Sequence, residues 1–233
     1  MKVVEIKGLS YSYPDGTQAL DEISLVISQG EKVAILGPNG AGKSSLLLHL
    51  NGILRSNGHV TIFGMGTKRK NLKSIRQKVG LVFQDPDDQL FCPTVFDDVA
   101  FGPRNLQLAE EEVASRVFRS LTAVGVQGLE QKSAVHLSVG QKKRVAIATV
   151  LSMDSEVLVL DEPTSNLDPR GRKELLCLLT KLGGTQIIAT HDLEFAGHLC
   201  DRIVVLCRGR KVAEGPAGLI LSDHALLESQ GLK

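Results

Sequence analysis

A glycine-rich turn that ends in lysine and serine carries the strongest chemical signal in this 233-residue sequence. The segment "GPNGAGKSS" fits the pattern G-x-x-x-x-G-K-S/T, with Gly37, Gly42, Lys43 and Ser44 in register. Glycines let the backbone N–H groups surround phosphate oxygens, and the helix that follows adds partial positive charge at its N-terminus. In this pattern the lysine reaches the β- and γ-phosphates, and the serine hydroxyl is a ligand of Mg²⁺. The sequence therefore predicts a triphosphate cradle, and a chance glycine-rich turn is the weaker interpretation.

Two adjacent acids close an apolar run much later in the chain. "VLVLDEP" places Asp161 and Glu162 at the end of a predicted buried strand, where open α/β sheets bind ligands. Asp161 is predicted to hold Mg²⁺ through its water shell, and Glu162 to orient or deprotonate the attacking water. The alternative is a strand that ends in solvated acids, but the phosphate cradle favours the catalytic interpretation.

Three more side chains are candidates because of where the predicted strands end. His191 closes "TQIIATH" and can reach a γ-phosphate oxygen, although a lone strand-end histidine is more often a satisfied polar residue. Gln84 ends "VGLVFQ", and its amide can contact Mg²⁺ or the attacking water, unless it is a plain loop residue. Tyr13 can stack on an adenine ring, because a flat aromatic binds a base without reading its edges. Tyr11, two residues away on the same side of the strand, is the competitor.

A second possible anion site lies at "LSVGQ", residues 137–141, directly before an amphipathic run. Ser138 and the N–H groups of Gly140 and Gln141 stand at the predicted start of a helix, where anions bind. A β-branched residue at positive φ is a costly outlier, so we expect Val139 to have an ordinary negative φ. Gly140 is then the residue that lets a phosphate approach closely.

Composition limits the class of protein. Hydrophobic residues make up 42% of the chain, which predicts a substantial core, and 27 Lys and Arg nearly balance 26 Asp and Glu. A balanced charge gives no support for an electrostatic nucleic-acid binder. The sequence has no apolar run of about 18 to 20 residues and no secretory start. Its four cysteines show no C-x-x-C spacing, so we expect reduced thiols in a soluble, intracellular protein.

The elements that must position these residues form a predicted α/β fold. Apolar strands and amphipathic helices alternate around a mostly parallel sheet, after a β-rich start that predicts an antiparallel β subdomain. We assign residues 1–84 and 137–215 to the core with this β subdomain. Residues 85–136 read as an α-helical insert, and residues 216–233 as a short helical tail.

Taken in their order along the chain, these motifs resemble those of the nucleotide-binding subunit of an ATP-binding cassette (ABC) transporter, and the resemblance covers essentially the whole chain. "GPNGAGKSS" resembles its Walker A element, "VLVLDEP" its Walker B element and "LSVGQ" its signature, in which the first glycine of LSGGQ is replaced by Val139. "FQ" at 83–84 resembles the Q-loop, "SNLD" at 165–168 the D-loop and "TH" at 190–191 the switch histidine. The segment "GLVFQDPDDQLFCPTVFDDVAFGPRNLQL" is similar to ATPases of energy-coupling factor transporters, especially those for cobalt and nickel uptake.

This resemblance implies the P-loop NTPase fold and an ATP-hydrolysing subunit that powers uptake of cobalt, nickel or a vitamin. It implies catalytic roles for Glu162, His191 and Gln84, and Mg²⁺ ligation by Ser44, Gln84 and Asp161. The implied nucleotide-binding residues are Tyr13, Gly37, Pro38, Asn39, Gly40, Ala41, Gly42, Lys43, Ser44, Ser45, Ser138, Gly140, Gln141 and Asp168.

The resemblance also implies an assembly. The signature of one subunit closes over the ATP that the other subunit holds, so two ATP molecules are sandwiched in a head-to-tail dimer. Two intact half-sites in one sequence favour a homodimer. The other implied partners are a transmembrane coupling subunit and a membrane substrate-binding subunit, with no nucleic acid, and the implied location is the cytoplasmic face of the cell membrane.

Two other functions are alternatives to transport. A non-transport cassette ATPase acting on nucleic acid or ribosomes commonly has a coiled-coil insertion or two fused cassettes, and this sequence shows neither. A P-loop kinase for a small acceptor has no use for the signature, D-loop and switch histidine together. Both alternatives are therefore weaker than a transport ATPase.

Overall fold

The computed structural model of this chain describes residues 1–55 and 59–233. The strands are Lys2–Ser12 (β1), Gln18–Ser28 (β2), Lys32–Leu36 (β3), His59–Ile62 (β4), Met65–Gly66 (β5), Val79–Val82 (β6), Val157–Asp161 (β7), Thr185–Thr190 (β8), Arg202–Cys207 (β9) and Arg210–Pro216 (β10). The helices are Lys43–Leu50 (α1), Leu72–Lys78 (α2), Val95–Asn105 (α3), Glu110–Ala123 (α4), Val139–Leu151 (α5), Pro169–Lys181 (α6), Leu193–Leu199 (α7), Ala217–Ser222 (α8) and His224–Ser229 (α9). Over the described residues, none of these helices has both the length and the apolar character that a membrane span requires.

A six-stranded sheet positions the chemically active residues. Its strand order is β10-β9-β3-β8-β7-β6, and all neighbours are parallel except the edge pair β10 and β9. Leu36 pairs with Thr190, and Asp161 pairs with Ala189, so three central strands end at the same edge of the sheet. That shared edge is where an open parallel sheet binds its ligand.

Alternation along the central strands explains why both faces of this sheet are covered. Val157 and Val159 pack on the side of α1 and the antiparallel sheet β2-β1-β4-β5. Leu158 and Leu160 point to the opposite face and join the core that the helices α3 to α7 cover. A strand buried on both sides reads as a continuous apolar run, and that is the pattern of "VLVL". The predicted α/β fold with an antiparallel β subdomain and a helical part is confirmed.

The helical layer on one face of the sheet includes α5, which follows the predicted insert in the chain. Helices α3 and α4 lie within residues 85–136, but both pack on α5, which starts at Val139. Helix α5 also contacts β6, so it joins the helical layer to the sheet. The layer therefore extends past residue 136, and the subdomain limits stay a prediction.

Strand β10 was not predicted from the sequence. It is an edge strand with mostly exposed side chains, including Arg210 and Lys211, so it lacks the apolar alternation that identifies half-buried strands. Residues beyond it form the short helices α8 and α9. The segment "GHVTIFG", whose apolar residues favour a strand, contains β4, and its first residue, Gly58, lies outside the described residues.

Candidate functional site

The loop between β3 and α1 can be built only with glycine at two positions. A Cβ atom on Gly37 would lie 2.4 Å from the carbonyl oxygen of Leu206. Gly42 has a φ of 100°, and a Cβ there would lie 2.4 Å from the carbonyl oxygen of Ala19. Both residues are therefore required by backbone packing as well as by the phosphate-binding pattern.

Lys43, the first residue of α1, is buried with its ammonium inside this loop. Its Nζ donates to the carbonyl oxygens of Gly37 at 2.8 Å and Pro38 at 3.2 Å. The same Nζ lies 3.1 Å from Glu162 Oε1. The ammonium thus holds the loop and the acid of β7 together, and a triphosphate in the cradle would compete with these oxygens for it.

Glu162 follows β7 directly and is fixed from two strands. Its backbone has a φ of 41°, a conformation that costs a non-glycine residue of order 1–3 kcal/mol and is found mainly at functional sites. Its Oε2 accepts the Thr190 hydroxyl at 3.2 Å and lies 3.0 Å from Nδ1 of His191. The structure therefore brings Lys43, Glu162 and His191 into one cluster at the ends of β3, β7 and β8.

Asp161, the last residue of β7, has a different environment. It is buried, and its Oδ1 has no hydrogen-bond partner among residues 1–55 and 59–233. Burial raises the pKa of this carboxyl, while a hydrogen bond with Ser44 acts in the opposite direction. A buried carboxylate oxygen without a partner, next to a serine hydroxyl, fits the oxygen ligands that Mg²⁺ prefers.

A cleft of about 420 Å³ collects most of the predicted nucleotide-binding residues. It is lined by Tyr13, Thr17, Gln18, Ala19, Asn39, Gly40, Ala41, Gly42, Lys43, Ser44, Ser45, Gln84 and Glu162. The Tyr13 hydroxyl lies 2.9 Å from the Ser45 hydroxyl. Tyr11 instead packs edge-on against His49, with ring centroids 5.0 Å apart, and does not line the cleft. This geometry favours Tyr13 over Tyr11 as the stacking residue.

The predicted second anion site lies at the start of α5. Ser138 accepts the N–H of Gln141 at 3.3 Å, and the Gln141 side chain accepts the N–H of Ser138 at 3.0 Å, which forms a capping box. Helix α5 begins at Val139, whose φ is not positive, so the expectation of ordinary backbone at this residue is confirmed.

In the part of the chain that the structure describes, no close contact requires a glycine at position 140. The nearest atom to an added Cβ would be Cδ2 of Leu167 at 3.8 Å, which is ordinary contact. Glycine destabilises a helix relative to alanine by up to about 1 kcal/mol, so an intramolecular explanation is missing. This openness supports close approach of a group from outside the chain.

A separate cleft of about 610 Å³ surrounds this helix start. Its lining includes Ser138, Gly140, Gln141 and Asp168, together with residues of α6. Asp168 caps α6 by accepting the N–H of Gly171 at 2.7 Å. Among residues 1–55 and 59–233, no residue lines both clefts. Within one chain, the structure therefore does not bring Ser138, Gly140, Gln141 or Asp168 to the cradle of Lys43.

Two residues of the cluster were not among the predicted site residues. Thr190 ends β8, where a threonine reads as one more strand residue. Lys143 is buried and donates to oxygens around Glu162. Its spacing from Ala146, Ile147 and Val150 places it on the buried stripe of α5, and this spacing is a usable sequence signal.

Comparison with known proteins agrees with this geometry. A model of the ABC transporter family matches residues 20–165. The chain is 54% identical to the energy-coupling factor transporter ATP-binding protein EcfA of Carboxydothermus hydrogenoformans, covering 99% of this chain and 86% of the relative. It is 50% identical to EcfA2 of Methanospirillum hungatei, covering 99% of this chain and 60% of the relative.

Solved structures show the same fold. CbiO1 of Clostridium perfringens, described as part of the ABC transporter complex CbiONQ, matches with a TM-score of 0.87 and 41% identity, over 100% of this chain and 95% of that chain. The dimeric bacterial ABC transporter cassette MJ0796 matches with a TM-score of 0.82 and 29% identity, over 92% of this chain and 98% of that chain. The chain is therefore a member of the ABC transporter family, an ATPase subunit of the energy-coupling factor type whose ATP hydrolysis is coupled to transport.

Proposed function

We propose that Glu162 orients or deprotonates the water that attacks ATP, with His191 and Gln84 completing the catalytic group. The observation that carries this proposal is the position of the Glu162 carboxylate, between Lys43 Nζ at 3.1 Å and His191 Nδ1 at 3.0 Å. A carboxylate held on both sides has few accessible rotamers, which is what a positioned general base requires.

The nucleotide lies in the 420 Å³ cleft in this proposal. Backbone N–H groups of Asn39, Gly40, Ala41, Gly42, Lys43, Ser44 and Ser45 surround its phosphates, with Gly37 and Pro38 shaping the turn, and Tyr13 stacks on the adenine. Lys43 exchanges its carbonyl partners for phosphate oxygens. That exchange replaces neutral acceptors by charged ones, and hydrogen bonds to charged groups are stronger.

A magnesium ion fits the same edge of the sheet. Ser44, Asp161 and the Gln84 amide would hold it, and the unpartnered Oδ1 of Asp161 supports this assignment. Bound Mg²⁺ supplies neutralisation of the charge on the phosphate oxygens. A single carboxylate with hydroxyl and amide oxygens suits an ion that usually keeps several waters and phosphate oxygens as ligands.

The working form in this proposal is a head-to-tail homodimer. Ser138, Gly140, Gln141 and Asp168 of one copy contact the ATP held by the other copy, because these residues lie in a cleft of their own. The Gln141 N–H is bonded at 3.3 Å to Ser138 Oγ, near the long end of the usual range, so a phosphate oxygen can replace this partner. Hydrolysis removes the bridging γ-phosphate and the dimer reopens.

The segment after the Q-loop is proposed to face the membrane partner. It carries Asp85, Asp87 and Asp88, followed by the exposed edge-on pair Phe91 and Phe101, with ring centroids 5.1 Å apart. Exposed aromatic residues beside charges are typical of protein interfaces. The proposed partners are a transmembrane coupling subunit and a membrane substrate-binding subunit at the cytoplasmic face, with no nucleic acid, and the proposed cargo is cobalt, nickel or a vitamin.

Substitution of Glu162 by Gln tests the catalytic proposal. Because the amide cannot accept a proton, ATP binding should persist, steady-state hydrolysis should fall by roughly 10²- to 10⁴-fold, and an ATP-dependent dimer should accumulate. Hydrolysis is measured as phosphate release, and the dimer by size-exclusion chromatography with light scattering. Glu156→Gln is the matched control, because Glu156 precedes the other end of β7 and pairs with Lys78. Wild-type turnover in Glu162→Gln would remove Glu162 from this role.

A further inference from the structure

The buried ammonium of Lys143 joins three separate segments of the chain. Its Nζ donates to the carbonyl oxygen of Gln84 at 3.2 Å, the carbonyl oxygen of Glu162 at 3.3 Å and the hydroxyl of Ser165 at 3.0 Å. These oxygens belong to the Q-loop, the end of β7 and the D-loop, and Lys143 itself lies on α5. One side chain therefore connects the helical layer with both sides of the hydrolytic site.

Burying the ammonium of a lysine at this position has a cost in folding free energy. Lys143 is 5% exposed, and burial lowers the pKa of its ammonium, although Asp85, Glu162 and Asp161 act in the opposite direction. An ammonium has three N–H donors, and three oxygens accept them here. A buried charge with all donors satisfied is tolerated, but an apolar residue of the same volume often gives equal or greater stability. Stability alone thus does not account for lysine.

The Glu162 backbone explains what the ammonium holds. The Glu162 carbonyl oxygen accepts two donors, Lys143 Nζ and the backbone N–H of Ser165 at 3.1 Å. On its other side, the Glu162 N–H donates to the carbonyl oxygen of Ala189 at 2.8 Å. Glu162 has a φ of 41°, so these bonds act on a strained residue. Loss of Lys143 would remove one of the two donors to this carbonyl and so weaken the hold on the backbone that carries the Glu162 side chain.

We propose that Lys143 is a positioning residue for hydrolysis. Its ammonium fixes the Glu162 peptide and the Ser165 hydroxyl relative to the Q-loop backbone at Gln84. The inference rests on the proposed role of Glu162. Because the ammonium bonds to the Gln84 carbonyl as well, displacement of the Q-loop by a partner is transmitted to Glu162 through this one group. Lys143 does not touch the nucleotide in this arrangement and acts through its neighbours.

Substitution of Lys143 by Met tests the proposal, since Met keeps most of the volume and removes the donors. We expect kcat for ATP hydrolysis to fall roughly 10- to 100-fold, the scale for misplacing a reacting group by about 1 Å. The KM for ATP should change less than about twofold, because a lost transition-state interaction lowers kcat without weakening ground-state binding. A merely structural role predicts a lower thermal midpoint without this split.

Lys32→Met is the matched control. Its Nζ also donates to backbone carbonyls, those of Leu179 at 3.1 Å and Thr180 at 3.3 Å, but it lies at the opposite end of β3 from the site. This control should keep wild-type kcat. Equal losses of kcat in Lys32→Met and Lys143→Met would overturn the proposal. A wild-type kcat in Lys143→Met would also overturn it, whether KM is unchanged or raised.

A double-mutant cycle with Ser165→Ala adds an independent readout. Because Lys143 acts partly through Ser165, the losses in kcat should be less than additive, and full additivity would remove Ser165 from the mechanism of Lys143. If Lys143→Met does not fold, Lys143→Gln replaces it in every comparison, because the Gln side chain is shorter but still has an amide N–H donor. Glu162→Gln is measured in parallel. Normal turnover in Glu162→Gln would refute the proposed role of Glu162 as the base. If Glu162→Gln is inactive but Lys143→Met has a normal kcat, only the inference about Lys143 fails.

Discussion

Asp161 and Glu162 are neighbours in the chain, but their carboxyl groups have opposite surroundings. Asp161 is buried with an unpartnered oxygen and a raised pKa. Glu162 Oε1 likewise accepts no hydrogen bond from the described residues, but the ammonium of Lys43 lies 3.1 Å from it, and Oε2 lies beside Thr190 and His191. The Asp161 oxygen has no ion pair in the described residues and is suited to ligating a cation, whereas the Glu162 carboxylate, held between Lys43 and His191, is suited to positioning water. The two acids thus support different proposed roles, and neither is expected to substitute for the other.

Tyr13 gives a test at the scale of one residue. Substitution by Ala removes the proposed stacking surface, so ATP affinity should fall by about 1–3 kcal/mol, or roughly 5- to 150-fold in Kd. Tyr13→Phe keeps the ring and loses only the hydroxyl contact with Ser45, so it should bind ATP nearly as well as the wild type. Isothermal titration with a non-hydrolysable ATP analogue measures both. Wild-type affinity in Tyr13→Ala would refute the assignment.

Among the elements, α3 does more than fill the helical layer. Its Asp98 is buried, and one carboxylate oxygen accepts the backbone N–H groups of Phe91 and Cys92, both at 2.9 Å. These bonds fix the loop that displays the exposed ring of Phe91. Helix α3 therefore sets the shape of the surface proposed to face the membrane partner.

Asp98 also has a predictable pH dependence. Burial raises its pKa above the ordinary 3.8, so the folded state binds the proton more tightly than the unfolded state. Stability from this group is then present at low pH and is lost as the pH rises from about 3.8 through the folded pKa. Asp98→Asn should lack this contribution, so its free energy of unfolding should fall less steeply with rising pH in the acid range.

Asp98→Ala is the comparison for this prediction. It removes the acceptor of two partly buried N–H groups, at no more than about 1–3 kcal/mol each, whereas Asp98→Asn retains an acceptor for both. Urea unfolding at pH 7 and across the acid range measures the difference. If Asp98→Asn loses as much stability as Asp98→Ala at pH 7, the two hydrogen bonds are not what Asp98 contributes.

At the scale of the whole molecule, the separation of the two clefts is the main observation. The cleft proposed to hold the phosphates and the cleft at the start of α5 share no lining residue among residues 1–55 and 59–233. This separation supports the proposed homodimer, in which two-fold symmetry would complete both sites at once.

Ser138→Arg tests this division. The large cation fills the signature cleft and should block the ATP-dependent dimer, measured by light scattering in the Glu162→Gln background. The monomer should still bind ATP, because Ser138 does not line the cradle. Ser138→Asn is the control, since Asn keeps the helix cap with a small side chain. Loss of ATP binding by the Ser138→Arg monomer would contradict binding across the dimer.

Much of the fold could be predicted from the sequence because its signals are local. The cradle is a contiguous motif, and the runs "KVAIL", "VLVL" and "TQIIAT" identify buried parallel strands whose ends must share one edge. Strand β10 escaped prediction because its charged edge has no apolar pattern. The packing of α5 on α3 and α4 is a contact between segments far apart in the chain, so a linear pattern does not show it, and the subdomain limit at residue 136 stays a prediction.

The candidate site likewise has features that the local sequence predicts and others that only tertiary packing decides. Residue type and spacing were enough to identify the cradle, the two acids and the start of α5, since each is written in a few consecutive residues. Folding alone decided that Lys143 and Thr190 join Glu162, and that Ser138 lies apart from Lys43. Those relations depend on which side chains long-range packing brings within about 3 Å, a distance that spacing along the chain does not encode.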